Sequence, residues 1–223
     1  MNFDLKRPVM ALAALMFVLA AFSAQAQIAA KNYEVTITNM TEAQAFTPLI
    51  LATHVPSVRM FTPGQPASVE LEELAEGGAV GPMADLLATL PDQVLDVVTT
   101  EGLLMPGDTA TVQIGGDILR NRLSLAAMLI PTNDSFVGLN AMVLPGRNNS
   151  ALAPAYDSGT EENDELCANI PGPVCGGEGF GLDDGEGYVY ISQGMQGVGD
   201  LEADTYDWRN PVAYIQIRRI PSP

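Results

Sequence analysis

Three carboxylates in turn-rich segments are the residues of this sequence best suited to chemistry. Asp134 ends Pro131-Thr132-Asn133-Asp134, a turn-prone segment between two apolar runs. Asp157 and Glu161 lie four apart around Ser158-Gly159-Thr160, a flexible turn that can point both side chains at one spot. Such hard oxygens suit Ca²⁺, which takes about six to eight oxygen ligands from carboxylates, carbonyls and water. Three carboxylates and the carbonyls of Gly-rich backbone could supply that set. Gathered carboxylates repel one another, so a cluster without a cation is costly. Spacing unites Asp157 with Glu161 and leaves the approach of Asp134 open.

Other chemistries find no complete pattern. There is no Gly-x-Ser-x-Gly and no His-Glu-x-x-His. His54 is the sole histidine and follows the apolar Leu49-Ile50-Leu51-Ala52-Thr53. Without an identifiable activated nucleophile it reads as structural. Asp157-Ser158-Gly159-Thr160 spells the Asp-Ser-Gly-Thr signature of aspartic proteases, but those enzymes need two such aspartates sharing a proton. One copy exists here, so only a homodimer would complete the pair. Asp200, Glu202 and Asp204 begin an EF-hand spacing that fails at Thr205, where Gly is needed, and at Pro211, where Glu is needed. Asp183, Asp184 and Glu186 form the next acidic set to consider.

Composition narrows the function classes. The 223 residues include 10 Lys and Arg against 27 Asp and Glu, for a formal charge of −17. Binding nucleic acid needs basic residues to displace counterions from phosphate, so nucleic acid is excluded as a partner. Hydrophobic residues make up 47% and charged residues 17%, too apolar for a disordered chain. The length suits one large β domain.

Residues 1–26 read as a signal peptide. Lys6 and Arg7 precede an uncharged apolar run from Pro8 to Phe22, and Ala24-Gln25-Ala26 fits the small-x-small cleavage rule. The run is shorter than the roughly 20 residues of a membrane span. The expected mature domain is 27–223, secreted, periplasmic or extracellular, with no transmembrane segment after cleavage. Export in turn makes Cys167 and Cys175 legible: in an oxidising compartment the simplest state is one local disulfide. Two Cys and one distant His match no zinc spacing. Asn-x-Ser/Thr triplets begin at Asn39, Asn133 and Asn148.

The elements that must position these residues are mostly strands. Tyr33, Val35 and Ile37 alternate with polar neighbours, as do Ala110, Val112 and Ile114. Arg122 to Ile130 and Phe136 to Leu144 are apolar runs, and Tyr188 to Ser192 and Val212 to Ile220 complete the set. Ser68 can cap a helix with Leu71, Leu74 and Ala75 inward, stopped by Gly77-Gly78. Pro82 suits the first turn of a second helix, with Met83, Leu86, Leu87 and Leu90 inward and Pro91 as the stop. The pattern predicts an all-β sandwich with a helical insertion near residues 68–90, covering one end or edge of a sheet. Residues 145–187 read as one long acidic loop.

Several of these segments resemble the spondin N-terminal domain. Pro131-Thr132-Asn133-Asp134-Ser135-Phe136-Val137-Gly138 is similar to that family's Pro-Ser-x-Asp-Trp-Phe-Val-Gly motif. Tyr156-Asp157-Ser158-Gly159-Thr160-Glu161 resembles its Asp-Ala-Gly-Thr-Asp loop, and His54, Phe61, Gly64 and Leu74-Ala75-Glu76-Gly77-Gly78 its helical insertion. The resemblance runs from about residue 32 to 220. It implies a C2-like β-sandwich with one Ca²⁺ held by three acidic side chains, which by position are Asp134, Asp157 and Glu161. Glu161 replaces an Asp of the family and reaches further. Animal members act in the matrix and in cell adhesion. The resemblance therefore implies a stand-alone bacterial-type module that is not an enzyme, with an extracellular or surface ligand, protein or glycan. A structural envelope protein whose ion only rigidifies loops, or a hydrolase using the acidic loop, are the alternatives.

Overall fold

A computed structural model describes residues 30–181 and 185–221. The predicted signal peptide, Asp183 and Asp184 lie outside the described residues. Eleven strands form two antiparallel sheets, as an all-β sandwich requires. The smaller sheet has four strands in the order β5 (Thr109–Gly116), β1 (Lys31–Asn39), β11 (Ala213–Ile220) and β8 (Asn148–Ala153). The larger runs β10 (Tyr190–Ile191), β9 (Ala155–Asp157), β7 (Ser135–Val143), β6 (Arg122–Ile130), β3 (Ile50–His54) and β4 (Val94–Thr99). A short β2 (Ala45–Phe46) also pairs with β6.

The period-two strands lie in the smaller sheet. Tyr33, Val35 and Ile37 of β1 and Ile215 and Ile217 of β11 point inward, onto Leu51, Leu123, Leu125 and Val137 of the larger sheet and Leu49 just before it. β6 has no such alternation: from Leu123 to Ile130 every residue is buried. A strand apolar on both faces needs cover on both. The second cover is the helical insertion, α1 (Val69–Gly77) and α2 (Val80–Ala88), whose Leu71, Leu74, Met83 and Leu87 pack on Ile50, Ala52, Ala126 and Phe136. The insertion therefore caps the outer face of the larger sheet rather than an end or edge.

Local sequence sets these helices. The Ser68 side chain accepts from the Leu71 N–H at the start of α1, and Gly78 ends it at φ +68° with its N–H on the Leu74 carbonyl. α2 opens two residues before Pro82 and closes before Leu90. Leu86 is 38% exposed, so it does not join the inward row expected of it. A further short helix, α3, spans Ala203–Tyr206.

The stretch expected to be one loop instead starts with β8 and β9. Neither shows a strong apolar period; both form because edges of existing sheets are there to be paired. Cys167 and Cys175 form a disulfide across the remaining loop, with Cα atoms 4.7 Å apart. His54 is fully buried at the end of β3 and bonds the Val55 carbonyl and the Ser124 hydroxyl, each at 2.8 Å. Both ring nitrogens are thus engaged within the fold. Among the described residues, no helix is long and apolar enough to cross a membrane.

Candidate metal centre

Strand register brings Asp134 and Asp157 together. Asp134 closes the turn between β6 and β7, and Asp157 is the last residue of β9, paired with Ser135 on one side and Tyr190 on the other. A ring cluster fixes this corner: Phe61 meets Phe136 edge-on at 5.0 Å and Tyr156 at 4.8 Å. Gly138 makes room for it, since a Cβ there would lie 2.6 Å from the Phe61 ring. Gly159 is held as tightly, at φ +69° with its Cα against the Tyr188 backbone, so the turn after Asp157 admits no side chain.

That turn folds over Asp134. One carboxylate oxygen, Oδ2, accepts from the Ser158 hydroxyl at 2.9 Å, the Thr160 N–H at 3.0 Å and the Glu161 N–H at 3.3 Å. The other, Oδ1, is buried without a hydrogen-bond partner. Asp157 accepts from the Gly159 N–H at 2.9 Å and from the Asn163 amide at 2.8 Å, and its carboxyl lies near enough to Asp134 for the charge of one to act on the other. Glu161 is adjacent through its backbone, but its carboxylate turns toward Glu76 at the end of α1 and toward Gly181. Its Oε2 is also buried without a partner. Asp134 and Asp157 are therefore neighbours, and Glu161 flanks them with its buried head turned toward Glu76 and Gly181. Among the described residues, no three His, Cys, Asp or Glu side chains already surround a common point in ion-holding geometry.

The electrostatics are one-sided. Asp134, Asp157 and Glu161 are 0, 2 and 4% exposed. Burial pushes the Asp134 carboxyl up despite its three donors. Burial and then the Asp134 charge push Asp157 up to about 7. Burial, then Glu76 and Asp134, push Glu161 up to about 8. Tyr190 is raised too, by burial and by Asp157 and Glu186. The ion pairs among the described residues are Arg120–Asp117, Arg209–Asp207 and Arg218–Glu34, none of which touches this cluster. A concavity of about 110 Å³ opens beside Asp157, lined by Asn163, Glu186, Tyr190 and Ser192. Another, of about 500 Å³, is lined by Glu161, Glu162, Asp164, Asn169 and Glu178. Neither has a basic side chain in its lining.

Several acids of the region act within the fold. Asp164 accepts from Asn133 at 2.9 Å and Asn169 at 2.5 Å; Glu165 holds the Val198 N–H at 2.7 Å. Asp200, the first residue of the failed EF-hand spacing, accepts from the Cys167 N–H at 2.9 Å. Ser158 and Glu76 lie in the motifs quoted above and Tyr190 in a predicted strand, but nothing local in the sequence places Glu76, Asn163 or Tyr190 at the cluster. Of the three glycosylation triplets, Asn39 and Asn133 are buried and Asn148 is exposed.

A hard divalent cation fits this donor set. All the groups are oxygen, two are buried without partners, and no positive side chain offsets them. The family model described as Spondin_N matches residues 25–162, a span that contains all three carboxylates and stops short of both cysteines, β10 and β11. No curated protein matches the chain.

Proposed function

The chain belongs to the Spondin_N family, and from that premise we propose that it is an exported Ca²⁺-binding β-sandwich module that mediates adhesion or ligand binding and is not an enzyme. One observation carries the reading. Asp134 Oδ1 and Glu161 Oε2 lie buried and unpartnered in a like-charged cluster, a costly arrangement that a cation relieves.

Asp134, Asp157 and Glu161 would hold the ion, Glu161 by turning its head back toward the pair. Backbone carbonyls and water would complete the shell. The ion would supply positive charge only. Ser158, Thr160 and Glu161, through their donors to Asp134, would keep that carboxylate oriented in the absence of the ion. Burial of both aspartates also speaks for binding over hydrolysis, since a catalytic carboxyl pair must reach its substrate.

Thermal unfolding in EDTA and in Ca²⁺, with a metal assay of the purified protein, tests the reading. The expected result is about one equivalent of bound calcium and a higher melting temperature with Ca²⁺. An identical melt in both, with no bound metal, overturns it.

A further inference from the structure

The sandwich end away from Asp134 presents an aliphatic tip. β5 passes to β6 through a turn built on the buried Asp117. Its carboxylate accepts from the Leu119 N–H at 2.8 Å, the Arg120 N–H at 2.6 Å and the Arg120 guanidinium at 2.9 Å. Asn121 braces the same turn: its amide donates to the Ile118 carbonyl at 3.3 Å, and its backbone carbonyl accepts from the Leu144 N–H at 2.8 Å. So held, the turn leaves Ile118 and Leu119 63% and 55% exposed. Val143, half exposed, stands alongside, opposite Arg122 in the β6–β7 pairing. A protruding turn of aliphatic side chains enters a partner rather than receiving one, and its burial is favourable in proportion to the apolar area covered.

Positive charge gathers at the same end. Residues 30–221 contain eight Lys and Arg. Six of them, Lys31, Arg120, Arg122, Arg147, Arg218 and Arg219, stand here, where β1 begins, β5 passes to β6, β7 passes to β8, and β11 finishes. Lys31 and Arg219 follow the inward rows of β1 and β11 beyond Tyr33 and Ile217, so they edge the mouth between the sheets and not an outer face. Arg147 joins that edge through its backbone carbonyl, which accepts from the Arg219 N–H at 2.6 Å. Arg120 lies on Asp117 and Arg218 on Glu34, but Lys31, Arg122, Arg147 and Arg219 make no ion pair with a described residue. Asp96, a further acid here, is held by the Gly115 N–H at 2.7 Å. Nine residues of β1 separate this end from the Asp134 end, roughly 30 Å at about 3.3 Å per residue, against a screening length of about 8 Å in physiological salt. The acidic end therefore does not cancel this charge.

The chain before β1 says what this end faces. The apolar run of residues 8–22 is joined to Lys31 by eight residues, 23–30, which span at most about 30 Å. While that run lies in a membrane during the export proposed above, this end of the sandwich, and not the Asp134 end, is held beside the bilayer. We propose that the end is a peripheral docking surface for an anionic phospholipid bilayer. Ile118 and Leu119, with Val143, would enter the boundary of the acyl chains. Arg122, Arg147, Arg219 and Lys31 would meet headgroup phosphates, for which the guanidinium fork is shaped. Apolar burial and charge attraction together give the two signals that stable surface binding needs. The surface shares no residue with the proposed ion centre and does not depend on calcium.

Vesicle sedimentation of the exported protein in EDTA tests this, with phosphatidylcholine alone and phosphatidylcholine mixed with phosphatidylglycerol. Saturable binding to the mixed vesicles is expected, about tenfold or more above binding to the neutral ones and falling with salt. Ile118→Ser/Leu119→Ser should weaken it about tenfold or more, and Arg147→Gln/Arg219→Gln several-fold. Val69→Ser, at an equally exposed aliphatic where α1 begins, should bind as the parent does. Retained binding in Asp157→Asn separates this surface from the ion centre. A fluorophore on Leu119→Cys should shift to the blue on mixed vesicles while one on Val69→Cys does not, a reading that holds even if the Ser pair loses its cooperative melt. Absence of binding, equal binding to neutral vesicles, or an unshifted Leu119→Cys probe overturns the proposal. Binding that survives the Ser pair but is lost with the Arg pair marks a site for a soluble polyanion and overturns it equally.

Discussion

Replacing Asp157 by Asn should change stability in opposite directions with and without calcium. Burial and the neighbouring Asp134 charge raise the Asp157 carboxyl from 3.8 to about 7. Holding it ionised at pH 8 therefore costs the ion-free fold up to ~4 kcal/mol, at about 1.4 kcal/mol per tenfold change in proton affinity. Asn removes the charge and keeps the shape. It can still accept from the Gly159 N–H, but its amide opposes that of Asn163 and forfeits a 2.8 Å bond. That loss is about 1–1.5 kcal/mol. With part of the repulsion already relieved by proton sharing with Asp134, the net gain in EDTA at pH 8 should be about 1–3 kcal/mol, at roughly 2–4 °C per kcal/mol for a chain of this size. At pH 5 the folded parent carboxyl is protonated and only about 1.6 kcal/mol of its cost remains, which the lost Asn163 bond offsets, so the gain should vanish. A hundredfold excess of Ca²⁺ over its dissociation constant should stabilise the parent by about 2.7 kcal/mol and the variant by well under half of that. Circular dichroism melts at both pH values, in EDTA and in Ca²⁺, read all four quantities. A variant that melts below the parent in EDTA at pH 8 would refute the repulsion argument. Equal Ca²⁺ increments in the two proteins would refute the site.

In EDTA the parent should lose stability as pH rises from about 4 to 8, because Asp157 and Glu161 hold protons in the folded state that the unfolded chain releases. A melting temperature that climbs over that range would contradict the raised values. Gly159→Ala should cost about 2 kcal/mol or more, since its Cβ would stand 2.3 Å from the Tyr188 carbonyl oxygen. Gly102→Ala, at a similar φ of +68° but in open space, should cost visibly less in parallel denaturant titrations. Reducing Cys167–Cys175 should lower stability by no more than about 2.5 kcal/mol, the entropy of a short loop, and leave the β-sheet signal intact. A native protein with titratable thiols before reduction would show that the bond does not form.

Where a local rule acts alone, the sequence predicts the element closely. β6 spans the apolar run Arg122–Ile130, and Ser68 and Gly78 bound α1 through their own cap bonds. β8 and β9 were unreadable because their stability comes from the partner edges, a term that no window of sequence contains. The unbroken apolar run of β6 did hold the information that both its faces are covered, although the insertion was expected at a sheet end or edge. The site was partly legible. Asp134 and Asp157 sit in recognisable motifs and meet through the β7–β9 register. The direction of the Glu161 head depends on Glu76, which is distant in sequence and carried by a helix on the other side of the loop. Asn163 and Tyr190 join for the same non-local reason.

The central position of β11 bears on how the chain acquires this structure. It is the last strand in sequence, yet it lies between β1 and β8, pairing Asn32 with Ile220 and Asn149 with Ile217. Until those residues arrive, β1 has only β5 beside it, β8 has no partner in its sheet, and the inner face of the larger sheet lacks half its cover. Folding must therefore close the longest loop of the domain late, and non-local β pairing of this kind is slow. A chain that cannot finish its smaller sheet before its C-terminal strand is available stays unfolded during synthesis for longer than a fold of local hairpins would. Under the export proposed above, in which a polypeptide is threaded unfolded across a membrane, such lateness would be a kinetic advantage.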